Sequence, residues 1–130
     1  VMEHLEHLNE MWETIHRILK KKGVLIVAVP NPDSYDAKKY GEWWAAYDVP
    51  RHLWHFRPAV MQQFGAKHGF ILEERKPMPF DAFYVSMLTE KYKGSKLSFV
   101  KGLWTGTCAW FSALGKKERS SSMIYVFRKK

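Results

Sequence analysis

The chain has 130 residues, of which 46% are hydrophobic and 26% charged, a balance that argues against disorder and allows one domain or part of one. Its single cysteine, Cys108, excludes an intrachain disulfide and favours a cytoplasmic location. A surplus of Lys and Arg gives a net charge of +8, which favours anionic partners, and no apolar run is long enough to predict stable membrane insertion.

Apolar residues recur at helical spacing in the first twenty positions, at Leu5, Leu8, Trp12, Ile15, Ile18 and Leu19. This pattern predicts an amphipathic helix that is stopped by Gly23. The continuous apolar run Val24–Val29 predicts a strand in the middle of a sheet that is covered by helices on both faces. Ligands of doubly wound folds lie beyond the carboxyl ends of the strands, so we expect the segment from Pro30 onward to face the functional site.

The middle of the chain alternates between irregular and regular patterns. Asp33–Phe56 is polar and aromatic without a clean period, which predicts a long irregular functional segment. A helix should begin near Pro58 and stop at Gly69. A strand is then predicted over Phe70–Glu74.

The last third of the chain contains a predicted helix over Asp81–Tyr92 and a predicted strand over Met123–Phe127. We expect that strand to pair antiparallel with the strand at Phe70, at one edge of the sheet. Between them, Phe99–Leu114 contains two glycines and is predicted to be a poor helix. Its aromatic residues and flanking lysines favour packing against the domain or a partner copy, with a membrane surface as the alternative.

Several segments resemble the second half of a class I S-adenosylmethionine-dependent methyltransferase: Val1–Leu5, then a helix, the turn Lys21–Gly23 and the apolar strand. The segments Asp48–Phe56 and Ala66–Phe70 are similar to a small-molecule subgroup, and Ser120–Val126 fits the family's seventh strand. The resemblance implies an α/β fold: a partial Rossmann-like methyltransferase fold with strands five to seven of the mixed sheet and flanking helices. Residues 1–130 would form the C-terminal part of a single methyltransferase domain.

The resemblance implies that the parent protein transfers a methyl group from S-adenosylmethionine to a small-molecule acceptor. No Gly-x-Gly-x-Gly loop occurs, so the principal cofactor-binding motif is missing, and we expect this chain to carry the acceptor side and to be inactive alone. Two alternatives are a catalytically silent partner subunit and a basic nucleic-acid-binding module that stacks bases on aromatic residues. We expect no nucleic acid partner, and an exposed sheet edge predicts self-association as a homo-oligomer.

The resemblance places Glu3 and His4 near the cofactor sulfonium, whereas the alternative is that they begin the first helix. Together with Glu6 and His7 they look like a metal cluster. However, the same helix has to bury Leu5 and Leu8, so a zinc site is disfavoured and no metal is predicted.

The densest polar cluster contains Asp48, Arg51, His52 and His55. His52 is the predicted catalytic residue, because a histidine can take a proton near neutral pH. Arg51 could orient an anionic substrate, and Asp48 and His55 are predicted to bind substrate. The alternative is that the two histidines bond to the backbone and hold the loop.

Three further residues are predicted to bind substrate. Asn31 follows the buried strand, but between two prolines it could equally serve as a turn residue. The resemblance implies that Phe83 and Tyr84, on the helix after the sixth strand, form a wall of the acceptor pocket.

Overall fold

The structure, a computed structural model that describes residues 1–130, contains a three-stranded sheet and five α-helices. In chain order these are α1 Leu8–Ile18, β1 Val24–Pro30, α2 Tyr35–Tyr40, α3 Pro58–Lys67, β2 Phe70–Met78, α4 Asp81–Tyr92, α5 Ser98–Gly115 and β3 Ser122–Lys129. Short 3-10 turns occupy Met2–His4, Gly41–Trp43, Ala45–Tyr47 and Lys117–Arg119. None of the helices combines the length and the apolar character needed to cross a bilayer.

The sheet has the order β1-β3-β2, and β3 runs antiparallel to both neighbours. The predicted antiparallel pairing of the strands at Phe70 and Met123 is therefore confirmed, although β3 lies in the middle of this sheet. The prediction that Val24–Val29 forms a central strand is wrong for this chain. β1 is an edge strand: Val27 and Val29 are buried, whereas Ile26 on its other face is 66% exposed, because no helix of the chain covers that face.

The main core forms where α1 and α3 pack on one face of the sheet. Trp12 is fully buried. Its ring packs edge-on against the rings of Phe64, Phe70 and Phe127, with ring centroids 5.2–5.5 Å apart. The predicted helix stripe is thus largely correct, but Ile18 is exposed because α1 ends there, five residues before Gly23.

The segment Asp33–Phe56, predicted to be irregular, contains α2 and two 3-10 turns. Ser34 caps α2 by accepting a hydrogen bond from the backbone N–H of Ala37 at 3.1 Å. Trp44 is buried after α2, and its indole N–H donates to a carboxylate oxygen of Asp36 at 2.7 Å. These local bonds give the segment a small core of its own.

The prediction of a poor helix at Phe99–Leu114 is wrong, because α5 is the longest helix of the chain. Its buried face consists of small residues, and two of them are the glycines. A Cβ at Gly102 would lie 2.5 Å from the Cα atom of Met87, and a Cβ at Gly106 would lie 2.7 Å from the Phe83 ring. The glycines therefore serve close packing of α5 on α4, and that contact outweighs their low helix propensity.

Candidate active site

A cavity of about 340 Å³ opens beyond the carboxyl end of β1. Pro30 borders it, so the expectation that the chain after β1 faces a site agrees with the structure. The 3-10 turn Ala45–Tyr47, the loop that follows it and α4 supply the rest of the wall. The lining residues are Pro30, Ala45, Ala46, Asp48, Arg51, His52, Asp81, Tyr84, Val85, Leu88 and Tyr92.

Backbone hydrogen bonds hold the start of the chain against this loop. The carbonyl of Glu3 accepts from the N–H of Leu53 at 2.7 Å, and the indole N–H of Trp54 donates to the carbonyl of Leu5 at 2.6 Å. The ring of His4 bonds to the carbonyl of Arg51 at 2.9 Å. Segments about fifty residues apart are thereby joined, and Glu3 and His4 come to lie beside His52.

The two histidines have the same hydrogen-bonding arrangement. Nδ1 of His52 lies 2.8 Å from the carbonyl oxygen of Ala46, and Nδ1 of His4 bonds to the carbonyl of Arg51. A carbonyl can only accept, so each Nδ1 carries a proton and each neutral ring keeps its lone pair on Nε2. The rings meet edge-on with centroids 4.6 Å apart.

Both Nε2 atoms face carboxylate oxygens. Glu3 Oε1 lies 3.7 Å from Nε2 of His4 and 3.9 Å from Nε2 of His52, and Asp48 Oδ2 lies 3.8 Å from Nε2 of His52. Acceptors converge here on one small volume, so a proton or another cation placed among them is stabilised electrostatically. The cluster can therefore accept a proton or hold a cation.

The two carboxylates have different surroundings. Burial alone would raise the pKa of Glu3, but hydrogen bonds from its own backbone and from the Val1 ammonium, with the charges of that ammonium and of His52, leave it below its usual value. Asp48 has a left-handed backbone with φ of 42° and accepts from Nε of Arg51 at 3.0 Å. That ion pair raises the pKa of Arg51 and places opposite charges at the cavity wall.

The cluster is also the place where a cation could be held. Glu3, His4 and His52 bring one ligand atom each within 4.8 Å of one another. Two imidazoles and a carboxylate are ligands that zinc accepts, and each Nδ1–H is already anchored on a carbonyl. The grouping differs from the one considered in the sequence, because Glu6 and His7 are exposed and lie outside it.

Three of the predicted substrate-binding residues lie outside the cavity lining. Asn31 is fully buried: its amide donates to the carbonyls of Glu118 and Ser120, and its oxygen accepts from the N–H of Asp33. It therefore has the turn role that the sequence left as its alternative. His55 bonds to the carbonyl of Tyr47 at 3.0 Å and supports the loop.

Phe83 is the third. Its ring packs against Gly106, on the side of α4 that faces α5. Tyr84, by contrast, lines the cavity as predicted. Of the predicted residues, the structure thus brings Asp48, Arg51, His52 and Tyr84 to the cavity, with Glu3 and His4 behind His52.

Sequence reasoning missed the other members of the α4 wall: Asp81, Val85, Leu88 and Tyr92. They recur at steps of three and four residues with Tyr84, so the helical period could have identified them. Asp81 accepts a short hydrogen bond from the hydroxyl of Ser122, which fixes the start of α4 to β3.

A second cleft of about 380 Å³ is lined almost entirely by charged residues. Its acidic groups are already paired: Glu118 contacts Arg75 at 3.0 Å, and Asp33 contacts Arg57 at 3.7 Å. It holds no histidine and no buried acceptor, so the cavity beside His52 is the better candidate for chemistry.

An α/β domain with convergent titratable side chains at the carboxyl end of a strand is the arrangement of an enzyme active site. A family model described as a methyltransferase domain matches residues 1–74, more than half of the chain. The chain therefore belongs to this family of class I S-adenosylmethionine-dependent methyltransferases. No curated protein matches it. The matched residues include Glu3, His4, Asp48 and His52, whereas α4, α5 and β3 lie beyond them.

Proposed function

We propose that this chain supplies the acceptor side of an S-adenosylmethionine-dependent methyltransferase whose acceptor is a small molecule, and that His52 takes the acceptor's proton. The observation that carries the proposal is the position of the His52 ring: Nδ1 bonds to the carbonyl of Ala46, and Nε2 faces the carboxylates of Glu3 and Asp48 at the cavity. This group also lies within the residues that match the family model.

The residues of the cavity have different roles in the proposed reaction. An acceptor O–H or N–H that reaches Nε2 of His52 gives up its proton there, and the freed electron pair forms the new bond to the methyl carbon. Ala46 keeps the ring oriented through Nδ1, while Glu3 and Asp48 stabilise the imidazolium that results. The cofactor of this family, when bound, would supply the electrophilic methyl group, and the electron pair of the broken carbon–sulfur bond would stay on its sulfur.

The rest of the wall positions the acceptor. Tyr84, Val85 and Leu88 offer an apolar side on α4, and Arg51 offers a guanidinium for an anionic group of the acceptor. A cavity of about 340 Å³ suits a small molecule rather than a polymer. Holding the acceptor in line with the methyl carbon is the larger part of catalysis in such a reaction.

The residues present here do not form a cofactor cradle. Two turns lead from a strand into a helix, Pro30–Ser34 after β1 and Pro79–Phe80 after β2, and neither contains a glycine. A backbone without glycine cannot approach a cofactor as closely as a glycine-rich loop does. The proximity of Glu3 and His4 to the sulfonium thus stays a prediction, and the proposal for this chain concerns the acceptor.

The test compares two histidine variants of the protein expressed from its complete reading frame. In His52→Asn, the amide N–H can replace Nδ1–H on the carbonyl of Ala46, while Nε2 is lost. We expect kcat for methyl transfer from labelled S-adenosylmethionine to fall by about 10²–10⁴-fold, with recovery at high pH or with added imidazole. His55→Gln is the matched control, because it keeps the donor to Tyr47, and it should change kcat only slightly.

The assay includes EDTA, so that a cation among Glu3, His4 and His52 cannot take over the role of the base. Full activity of His52→Asn would contradict the proposal. Loss of wild-type activity in EDTA that zinc restores would replace the proton acceptor with a metal centre. Activity that appears only when another methyltransferase is added would favour the partner-subunit alternative.

A further inference from the structure

Helix α5 presents large apolar side chains to solvent along its whole length. Its outer face, defined here as Val100, Leu103, Trp104, Phe111 and Leu114, has exposed fractions of 45–67%. At about 100° per residue these five positions fall within roughly 100° of the helix circumference, so they form one continuous stripe. A stripe of this size and composition is unusual on a protein surface that faces only water.

The opposite face of α5 packs against α4. Gly102, Gly106, Ala109 and Ala113 are buried, and the two glycines contact the backbone of α4 directly. The helix is therefore fixed on the domain by its small residues. Only its outer face is free, and from Val100 to Leu114 that face runs for about 21 Å at 1.5 Å per residue.

The charge around the outer face has one sign. From Lys91 to Lys117 the sequence contains six lysines and no aspartate or glutamate. All six are exposed, and they lie before α5, near its start and after its end: Lys91, Lys93, Lys96, Lys101, Lys116 and Lys117. The apolar stripe is thus bordered at both ends by exposed cations, of which Lys116 lies 3.9 Å from a carboxylate oxygen of Glu118.

We propose that the outer face of α5 binds the surface of an anionic membrane, with its axis parallel to the bilayer. Aromatic and aliphatic side chains along one helix face enter the boundary between headgroups and acyl chains, and flanking lysines contact acidic headgroups. A second copy of this chain is the less suitable occupant, because it would bring a second set of lysines to the same contact.

The cavity beside His52 shares part of its wall with a groove at the start of α5. A groove of about 270 Å³ runs between α4 and the start of α5, and its wall includes Met87, Lys91 and Phe99. Tyr84 and Leu88 line both this groove and the cavity beside His52. None of the five residues of the outer face lines this groove, which lies on the α4 side of α5.

The experiment is flotation of the protein with vesicles of phosphatidylcholine, alone or mixed with phosphatidylglycerol. We expect flotation with the mixed vesicles only and its reversal at high salt. The double variant Trp104→Ser/Phe111→Ser should weaken binding by at least about tenfold, because binding scales with buried apolar area. Each of Lys96→Gln and Lys101→Gln should weaken it by about fivefold.

Two controls test whether vesicle binding depends on this face rather than on exposed aromatic residues in general. Trp43→Ser removes an exposed tryptophan outside α4 and α5 and should leave flotation unchanged. Trp104→Phe should still float, but quenching of tryptophan fluorescence by brominated lipid should fall, because Trp104 is the residue placed in the bilayer. Circular dichroism of each variant checks that the fold is retained.

Three results would overturn the proposal. One is absence of flotation with anionic vesicles, and another is equal flotation of Trp104→Ser/Phe111→Ser and the wild type. The third is a dimer in light scattering that the same double variant dissociates, since the outer face of α5 would then join two copies of this chain.

Discussion

Replacing Gly102 with alanine tests the contact on which the α4 wall of the cavity depends. Gly102 lies in the middle of the buried face of α5, where the helix crosses α4 at Met87. The added methyl group changes neither charge nor polarity. Its effect therefore reports how closely the two helix backbones approach each other.

The expected size follows from the atoms that the new Cβ would meet. It would lie 2.5 Å from Cα and 2.7 Å from N of Met87, and backbone atoms cannot turn away as a flexible side chain can. The helices have to separate, and overpacking of this kind costs about 1–3 kcal/mol. The helix propensity of alanine is about 1 kcal/mol more favourable than that of glycine, so we expect a net loss of about 0–2 kcal/mol in the free energy of unfolding.

Urea unfolding followed by circular dichroism measures this difference, and Gly115→Ala is the matched control in the same helix. No heavy atom lies within 4 Å of a Cβ built at Gly115, so that variant should be neutral or stabilised by up to about 1 kcal/mol. If Gly102→Ala is as stable as Gly115→Ala, α5 does not pack on α4 at this distance, and the placement of Tyr84 and Leu88 loses its support.

Two further changes test other parts of the domain. Burial raises the pKa of Asp36 above its ordinary value despite donors from Ser121 and Trp44, so its ionised form opposes folding as the pH rises. Asp36→Asn should therefore gain stability relative to the wild type between pH 4 and pH 7 in urea unfolding; a constant difference would contradict the stated burial. Separately, the free edge of β1 predicts self-association in concentrated solution, which Ile26→Lys should abolish in light scattering; a monomeric wild type would refute it.

Regular elements were the part of this fold that sequence could predict. The helix Asp81–Tyr92 has the predicted bounds, and the antiparallel partnership of the strands at Phe70 and Met123 is observed. Both depend on local period and on alternation of apolar residues, which a short window contains. By contrast, the two glycines of α5 predict a poor helix from the sequence. Helix propensity does not include the close contact with α4 that these glycines make in the structure.

The burial of β1 shows a different limit. A run such as Val24–Val29 is apolar on both faces, and the sequence predicts correctly that it is a strand. Which of its faces is covered depends on elements elsewhere in the chain. Here β3 pairs with one edge of β1, the core around Trp12 covers one face, and Ile26 on the other face remains exposed.

The two histidines at positions 52 and 55 show why the site itself was only half predictable. The sequence predicts the base at His52 and substrate binding at His55. The structure separates them through backbone carbonyls: Ala46 accepts from Nδ1 of His52 and leaves Nε2 facing Glu3, whereas Tyr47 accepts from the ring of His55 outside the cavity. A carbonyl is present at every residue, so it leaves no signature in the sequence. The sequence can indicate the acids and bases of this site, but the conformation of the loop decides which backbone carbonyl each ring bonds to and where its other nitrogen points.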